Sequence, residues 1–527
     1  MVIQILFLVI FFAVMIGVGF YCRKSAKGVN GFVLGGREVG PWLTAFAFGT
    51  SYFSAVIFVG YAGKFGWNFG LASTWIGLGN AFIGSLLAWS VLGRRTRIMT
   101  HHLGSKTMPD FFGLRFDSKP LKLIAAIIVF IFLIPYTASL YNGLSRLFTM
   151  AFPGIEYTWC VIAMSVLTGI YVLVGGYMAT AINDFIQGIF MIFGILAVIV
   201  AVLNQNGGFM GSMEALADKA GWEYASFFGA DPLFLVFVVI LTSLGTWGLP
   251  QMVGKFYAIK DEDAIKKGTV ISTVFAIIVA GGCYFLGGFS RLFSDATEKG
   301  TPAVGFDNLI PTMLENLGPV LIGIVLVLVL SASMSTLSSL VLTSGSTITL
   351  DLILPLKKKE VSEKKQMLII RLFIAFFIVI SAIIAIFQQY SKSESVAFIA
   401  DLMGVSWGVL AGSFIGPFLW GLYSKKISRA SVYVSFVLGV TLGLVQLAKS
   451  VIGFDFGVAF LDGLVFKSSI HSGAIAMLLS IAIVPLVSLF TKKQSKDRLE
   501  EIFSCYHKEV TVKATAVLES KEDEKKH

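Results

Sequence analysis

The sequence predicts an all-α polytopic membrane protein with about 13 transmembrane helices. Three observations carry that reading. The 527 residues are 56% hydrophobic and only 14% charged, with a mean hydropathy of +0.83. Apolar runs of membrane length recur along the chain, and basic residues gather in every second connection between them. A soluble chain of this length does not have such a composition.

Runs of roughly 20 residues, enough to cross the hydrocarbon, fall near 3–22, 42–63, 71–92, 121–150, 157–174, 183–203, 233–254, 269–289, 318–350, 367–389, 396–423, 431–452 and 471–490. The first run lacks a basic start and a small-residue cleavage site, so it reads as a helix rather than a signal peptide. Basic residues follow the first span (Arg23, Lys24, Lys27, Arg37) and the third (Arg94, Arg95, Arg97, Lys106, Arg115, Lys119). They recur at Lys255, Lys260, Lys266 and Lys267, at Lys357 to Arg371, at Lys425 to Arg429, and from Lys492 onward. About 32 of the 41 Lys and Arg lie on this one side, which the positive-inside rule makes cytoplasmic. The first terminus is then outside and the last inside, as an odd span count requires. The net charge of +10 is an orientation signal, and no nucleic-acid partner is implied. The stretch from Lys492 reads as a flexible charged cytoplasmic tail.

Several function classes drop out. Cys22, Cys160, Cys283 and Cys505 are too scattered for a metal site or a disulfide framework. No P-loop pattern supports an ATP-driven motor. The five histidines are read as lying in loops or the tail, without a His-x-x-x-His pair, and no enzyme is expected. No Asn-x-Ser/Thr sequon occurs, which fits a bacterial inner-membrane protein.

The most informative stretch is Ser331–Ser339, with six hydroxyls in nine residues inside a highly apolar run. Ser335, Ser338 and Ser339 stand at i, i+3 and i+4 on one helical face, with Ala332 and Thr336 on or beside it. A row of neutral oxygens at mid-membrane suits a hard, weakly held cation. The bland alternative is that the hydroxyls bond back to their own helix or ease close packing. Two other spans look broken: the second at Phe48–Ser54, and the seventh at Leu241–Gln251, near Ser243 to Gly245. The ninth, with its serine stripe, reads as interrupted too. Freed backbone groups are tolerated at that depth only where they line a cavity. Breaks in the first helix of two successive five-helix units point to an inverted-repeat transporter. Asp184, at the start of the sixth span, is either a capping acid at the interface or a carboxylate on the ion path. Asp401 reads as interfacial, and Arg146 as snorkelling to the outer surface.

Four motifs in order, Phe32-Val-Leu-Gly-Gly-Arg37, Pro109-Asp-Phe-Phe with Arg115-Phe116, Gly175-Gly176 with Asp184 and Gln187, and Ala332-Ser-Met-Ser-Thr336, resemble the sodium/solute symporter family, across nearly the whole transmembrane portion. The resemblance implies the LeuT-type fold of two inverted five-helix repeats. Residues 1–40 would hold the first helix and loop, and 41–430 the core, with repeats at about 41–210 and 230–430. Two extra helices at 431–491 and the tail at 492–527 would follow. It implies a sodium site formed by the backbone carbonyls of Thr50, Phe53 and Ala332 with the hydroxyls of Ser335 and Thr336. Asp184, Ser338 and Ser339 would form a second, so one or two Na+ are the expected coupling ions. Solute would lie near Ser54, Tyr136, Thr242, Thr246 and Trp247. The family's proline carriers have an acidic residue where this chain has Tyr52 and an aromatic one near Thr242, which argues against proline in particular; the expected solute is an amino acid or a small carboxylate. The expected partners are that solute, sodium and the lipid bilayer, with no obligatory protein partner. Two other readings stay open: a proton-coupled carrier of the same fold, and a sensor-like membrane protein.

Overall fold

The computed structural model describes residues 2–152, 154–357, 359–390 and 399–506. Ten of its helices are long and apolar enough to cross a membrane, or eleven if Pro232–Gly248 and Pro250–Ala258, bent by 45°, form one span. Two of the ten, Val56–Leu103 and Tyr157–Asn204, are 48 residues long, more than twice what a bilayer needs. Each doubles back at a glycine: Gly70 at φ 59°, ψ −139° and Gly176 at φ 56°, ψ −149°. Only glycine adopts such backbone without strain. The neighbours record the reversal. Ile57 lies against Cys283 and Gly66 against Gly287, whereas Gly77 returns to Gly281 and Ser85 to Ser272. At Gly176 the turn is marked by the non-helical backbone itself, between Tyr171 and Gly175, which abut Gly19, and Asn183, Gln187 and Phe190, which lie along Met15 and Phe11. Divided at the two glycines, the crossings number thirteen, in agreement with the sequence reading.

A Cβ on Gly176 would stand 2.7 Å from Phe32 Cδ2 and 2.9 Å from its carbonyl oxygen. Gly176→Ala therefore combines a forbidden φ with a clash inside the first family motif. We expect about 3 kcal/mol of destabilisation or more, read as a lower detergent melting temperature or as loss of the folded peak in size-exclusion chromatography.

Two units of five helices with the same internal order of elements build the core. In each, the first helix is broken. Pro41–Tyr52 ends at Phe53 (φ −82°, ψ 119°), and Pro232–Gly248 ends at Leu249 (φ −80°, ψ 122°). In each, a short helix, Met108–Arg115 or Leu309–Leu314, precedes the third. The matched dihedrals at equivalent places are the backbone signature of the repeat that the sequence only suggested.

Four expectations need correction. The second break falls at Leu249 rather than at Ser243 to Gly245, because Pro250 lacks an N–H and excludes helical backbone at the residue before it. The ninth span is not interrupted: Pro319–Thr347 is continuous helix, buried on all sides from Val325 to Leu342. Its hydroxyls donate to their own helix without opening it, Ser333 to Val329 O (2.8 Å) and Ser338 to Ser335 O (2.9 Å). Lys255, counted with the basic loops, is buried within Pro250–Ala258. His471, read as a loop residue, is buried in the first turn of the last span, with its ring stacked on Phe234.

The tail also departs from expectation at its start. Lys496–Phe503 is helical, with Leu499, Ile502 and Phe503 buried. Arg115 reaches it: the guanidinium donates to Gly421 O (2.8 Å), Ser424 O (2.9 Å) and Gln494 Oε1 (2.8 Å). Burial pushes this guanidinium down to about 10, which leaves it charged at neutral pH. Residues 507–527 and the side chains of Arg146 and Asp401 lie outside the described residues.

Candidate ion and solute sites

The first half-helix, Pro41–Tyr52, ends deep inside the protein, where its last carbonyls have no next turn to bond. Gly49 O still accepts from Phe53 N (3.1 Å). The carbonyls of Thr50 and Phe53 point instead at the serine helix. Ser335 Oγ lies 3.2 Å from both Thr50 O and Ala332 O. Thr336 Oγ1 lies 3.3 Å from Thr50 O, 3.4 Å from Phe53 O and 3.1 Å from Ala332 O. The five oxygens named from the resemblance are thus gathered into one buried cluster. Oxygens held about 2.4 Å from a cation at roughly right angles stand about 3.4 Å from one another, so this spacing fits a sodium-sized ion. The negative end of the half-helix dipole adds to the fit. The bland reading of the stripe describes Ser333 and Ser338 fully; Ser335 and Thr336 also bond back to Ala332 O in their own helix, but in addition reach the carbonyls of the broken helix.

The other candidate ion residues are arranged differently. Asp184 is fully buried eight residues past the Gly176 turn, so it does not cap a helix at the interface. Lys255 Nζ sits 3.7 Å from Asp184 Oδ2 and donates to Ser339 Oγ (2.9 Å), which also pairs with Ser51 Oγ (2.8 Å). Asp184 and Ser339 are therefore brought together, but through an ammonium. Ser338 is turned to its own helix. Breaking such a buried pair by removing one partner costs about 3–5 kcal/mol. A narrow cavity of about 50 Å³, lined by Lys106, Thr107, Gln251, Lys255 and Ser339 among others, leads from the basic loops to this pair.

Between the two breaks lies a set of buried polar atoms with no hydrogen-bond partner among the described residues: the hydroxyls of Tyr52, Ser54 and Tyr136, and Trp407 Nε1. Each such atom costs about 1–3 kcal/mol unless water or a ligand satisfies it. The Tyr52 and Tyr136 rings lie 5.9 Å and 6.0 Å from Trp407. Trp407 itself rests on Gly245, where a Cβ would come within 2.6 Å of its ring. Of the expected solute residues, Ser54 and Tyr136 belong to this aromatic box. Thr242 donates to Val238 O (2.9 Å) and borders the box beside Tyr52. Thr246 and Trp247 are held elsewhere, bonded to Gly84 O (2.8 Å) and Ile83 O (2.9 Å). They brace the half-helix against Asn80–Leu87 instead of facing the box. Trp407 was not named as a lining residue, and Tyr52 was noted only as a departure from the proline carriers; the one signal for Trp407 is an aromatic set among small residues in Gly404-Val-Ser-Trp-Gly408.

These features, a twice-broken five-plus-five bundle with a carbonyl–hydroxyl cluster at one break, define a secondary-transporter architecture. The sodium:solute symporter family model matches residues 32–439, and the chain belongs to that family, whose members are transporters rather than enzymes. It is 30% identical to the sodium/proline symporter of Staphylococcus aureus over 451 residues, covering 83% of this chain and 85% of that one. It is 27% identical to the osmoregulated proline transporter OpuE of Bacillus subtilis over 492 residues (92% and 94%). Among solved structures, a substrate-bound, outward-open Na+-coupled sialic acid symporter superposes with a TM-score of 0.73 at 17% identity, over 94% of this chain and 99% of that one. At that identity the likeness establishes the fold.

Proposed function

We propose that the protein couples sodium entry to uptake of a small amino acid, with proline the leading solute, by alternating access. The observation that carries this is the convergence of Thr50, Phe53, Ala332, Ser335 and Thr336 oxygens at the first helix break. The five ligands include no titratable group, which counts against proton coupling at this site. Two of the relatives named above carry proline in their names, and that moves the reading from small carboxylates in general toward proline. Tyr52 then takes on the work of the missing acid: a secondary ammonium would sit over the faces of Tyr52, Tyr136 and Trp407, with its carboxylate toward the bound cation and the second half-helix. We place the first terminus outside and the last in the cytoplasm of a bacterial cell, from the basic loops, and take 41–430 as the core.

The test is thermal stability of the purified protein with proline and a panel of other small amino acids and carboxylates, each in sodium and in potassium. A ligand at 100 times its Kd stabilises by about 2.7 kcal/mol, so proline should raise the melting temperature in sodium alone. A panel without any sodium-dependent shift would sink the reading. Trp407→Leu should raise the KM for solute about 10-fold while leaving the sodium dependence near its original midpoint, as measured by uptake into proteoliposomes.

A further inference from the structure

We propose that the Lys255 ammonium is a tethered cation standing where a second coupling ion would sit, so that each chain binds one sodium. The proposal deepens the sodium-symport reading and rests on it only for the first site. Asp184 is fully buried among helices, and neither of its oxygens has a hydrogen-bond partner among the described residues. A carboxylate in such a place needs a positive charge beside it. Lys255 supplies one from a different unit of the fold. The break at Leu249 starts a fresh helix at Pro250, and Lys255 lies five residues along it, directed inward. Its Nζ is 3.7 Å from Asp184 Oδ2, 2.9 Å from Ser339 Oγ, and 5.3 Å from the centre of the Tyr177 ring. Ser51, adjacent to the sodium-site residue Thr50, closes the group through Ser339 at 2.8 Å.

The oxygens of Asp184, Ser339 and Ser51 are the donors a second sodium would use, and the ammonium has its point charge among them. An ammonium differs from sodium in one respect that matters for transport: it is covalently fixed and cannot leave with the solute. Among the described residues no ion pair includes a residue of the five-oxygen cluster, so an ion bound there would stay exchangeable. A purely structural salt bridge would fit the same distances, but it makes a different prediction when the lysine is shortened.

Equilibrium binding of sodium-22 to the purified full-length protein, without solute, separates these outcomes. Wild type should bind one ion per chain, lost in S335A/T336A. Lys255→Ala should bind two, and the added ion should vanish in the K255A/D184N double variant. Two ions in wild type would overturn the proposal whether or not the variant folds, and so would an ion count that Lys255→Ala leaves unchanged. If wild type binds none, the first-site reading fails. A single ion gained by Lys255→Ala and lost again with Asp184→Asn would then still uphold the role of Lys255, and no gain would overturn both.

Discussion

Replacing Ser335 and Thr336 together with alanine should lower sodium-driven uptake at least about 100-fold while leaving the protein folded in the membrane. The pair supplies two of the five clustered oxygens and the only side chains among them. A hydrogen bond or ligand contact to a charge is worth about 1.5–3 kcal/mol, so losing two weakens sodium binding by about 3–6 kcal/mol, or roughly a hundredfold to ten-thousandfold. The three carbonyls that remain cannot close a shell around the ion. Folding should survive because the helix keeps its backbone ladder, although the Thr50 and Phe53 carbonyls lose their hydroxyl donors. Ser333→Ala is the matched control: that hydroxyl bonds to Val329 O, and uptake should stay within about twofold. Uptake against sodium concentration, with surface amount measured in parallel, checks both. Unchanged uptake in the double variant would remove the cluster from the mechanism.

The second large effect concerns how far solute can be concentrated. A charge crossing 100 mV is worth about 2.3 kcal/mol, and a tenfold sodium gradient about 1.4 kcal/mol more. One sodium per zwitterionic solute therefore supports roughly 500-fold accumulation, and two would support roughly 300,000-fold. Proteoliposomes held at −100 mV with a tenfold gradient should plateau at a few hundredfold if Lys255 holds the second place. A plateau orders of magnitude higher would mean that two ions move.

Much of this molecule is legible in its sequence, for physical reasons that differ from place to place. The spans are set by bilayer thickness, so length and apolarity locate them. The five oxygens implied by the family resemblance do lie together: the hydroxyls share one short motif, and the carbonyls of Thr50 and Phe53 flank a glycine- and hydroxyl-rich break. The second break was misplaced by a few residues. Glycine and hydroxyls at 242–246 looked like the weak point, but a helix tolerates them, and it is Pro250 that forbids continuation. Lys255 was counted with its neighbours in sequence, where it reads as one more basic residue near Lys260. That its side chain turns inward to Asp184, 71 positions earlier, is a tertiary fact with no local signal. Thr246 and Trp247 were assigned by proximity to the break, yet the face of the half-helix that carries them is set by packing on Asn80–Leu87.

The hydroxyls of Ser335 and Thr336 lie within hydrogen-bond reach of the same carbonyls that would face the ion. A rotating O–H can therefore satisfy a carbonyl whenever no cation does, and swing away when one arrives. A site built on carboxylates would be left with naked charge after unloading and would need a proton to travel back. Here the five oxygens are all neutral, and the two hydroxyls lie within bonding reach of the three carbonyls. In a carrier that must reset after each delivery, such chemistry would let the empty site return without a proton, so the return leg would carry no charge at this site.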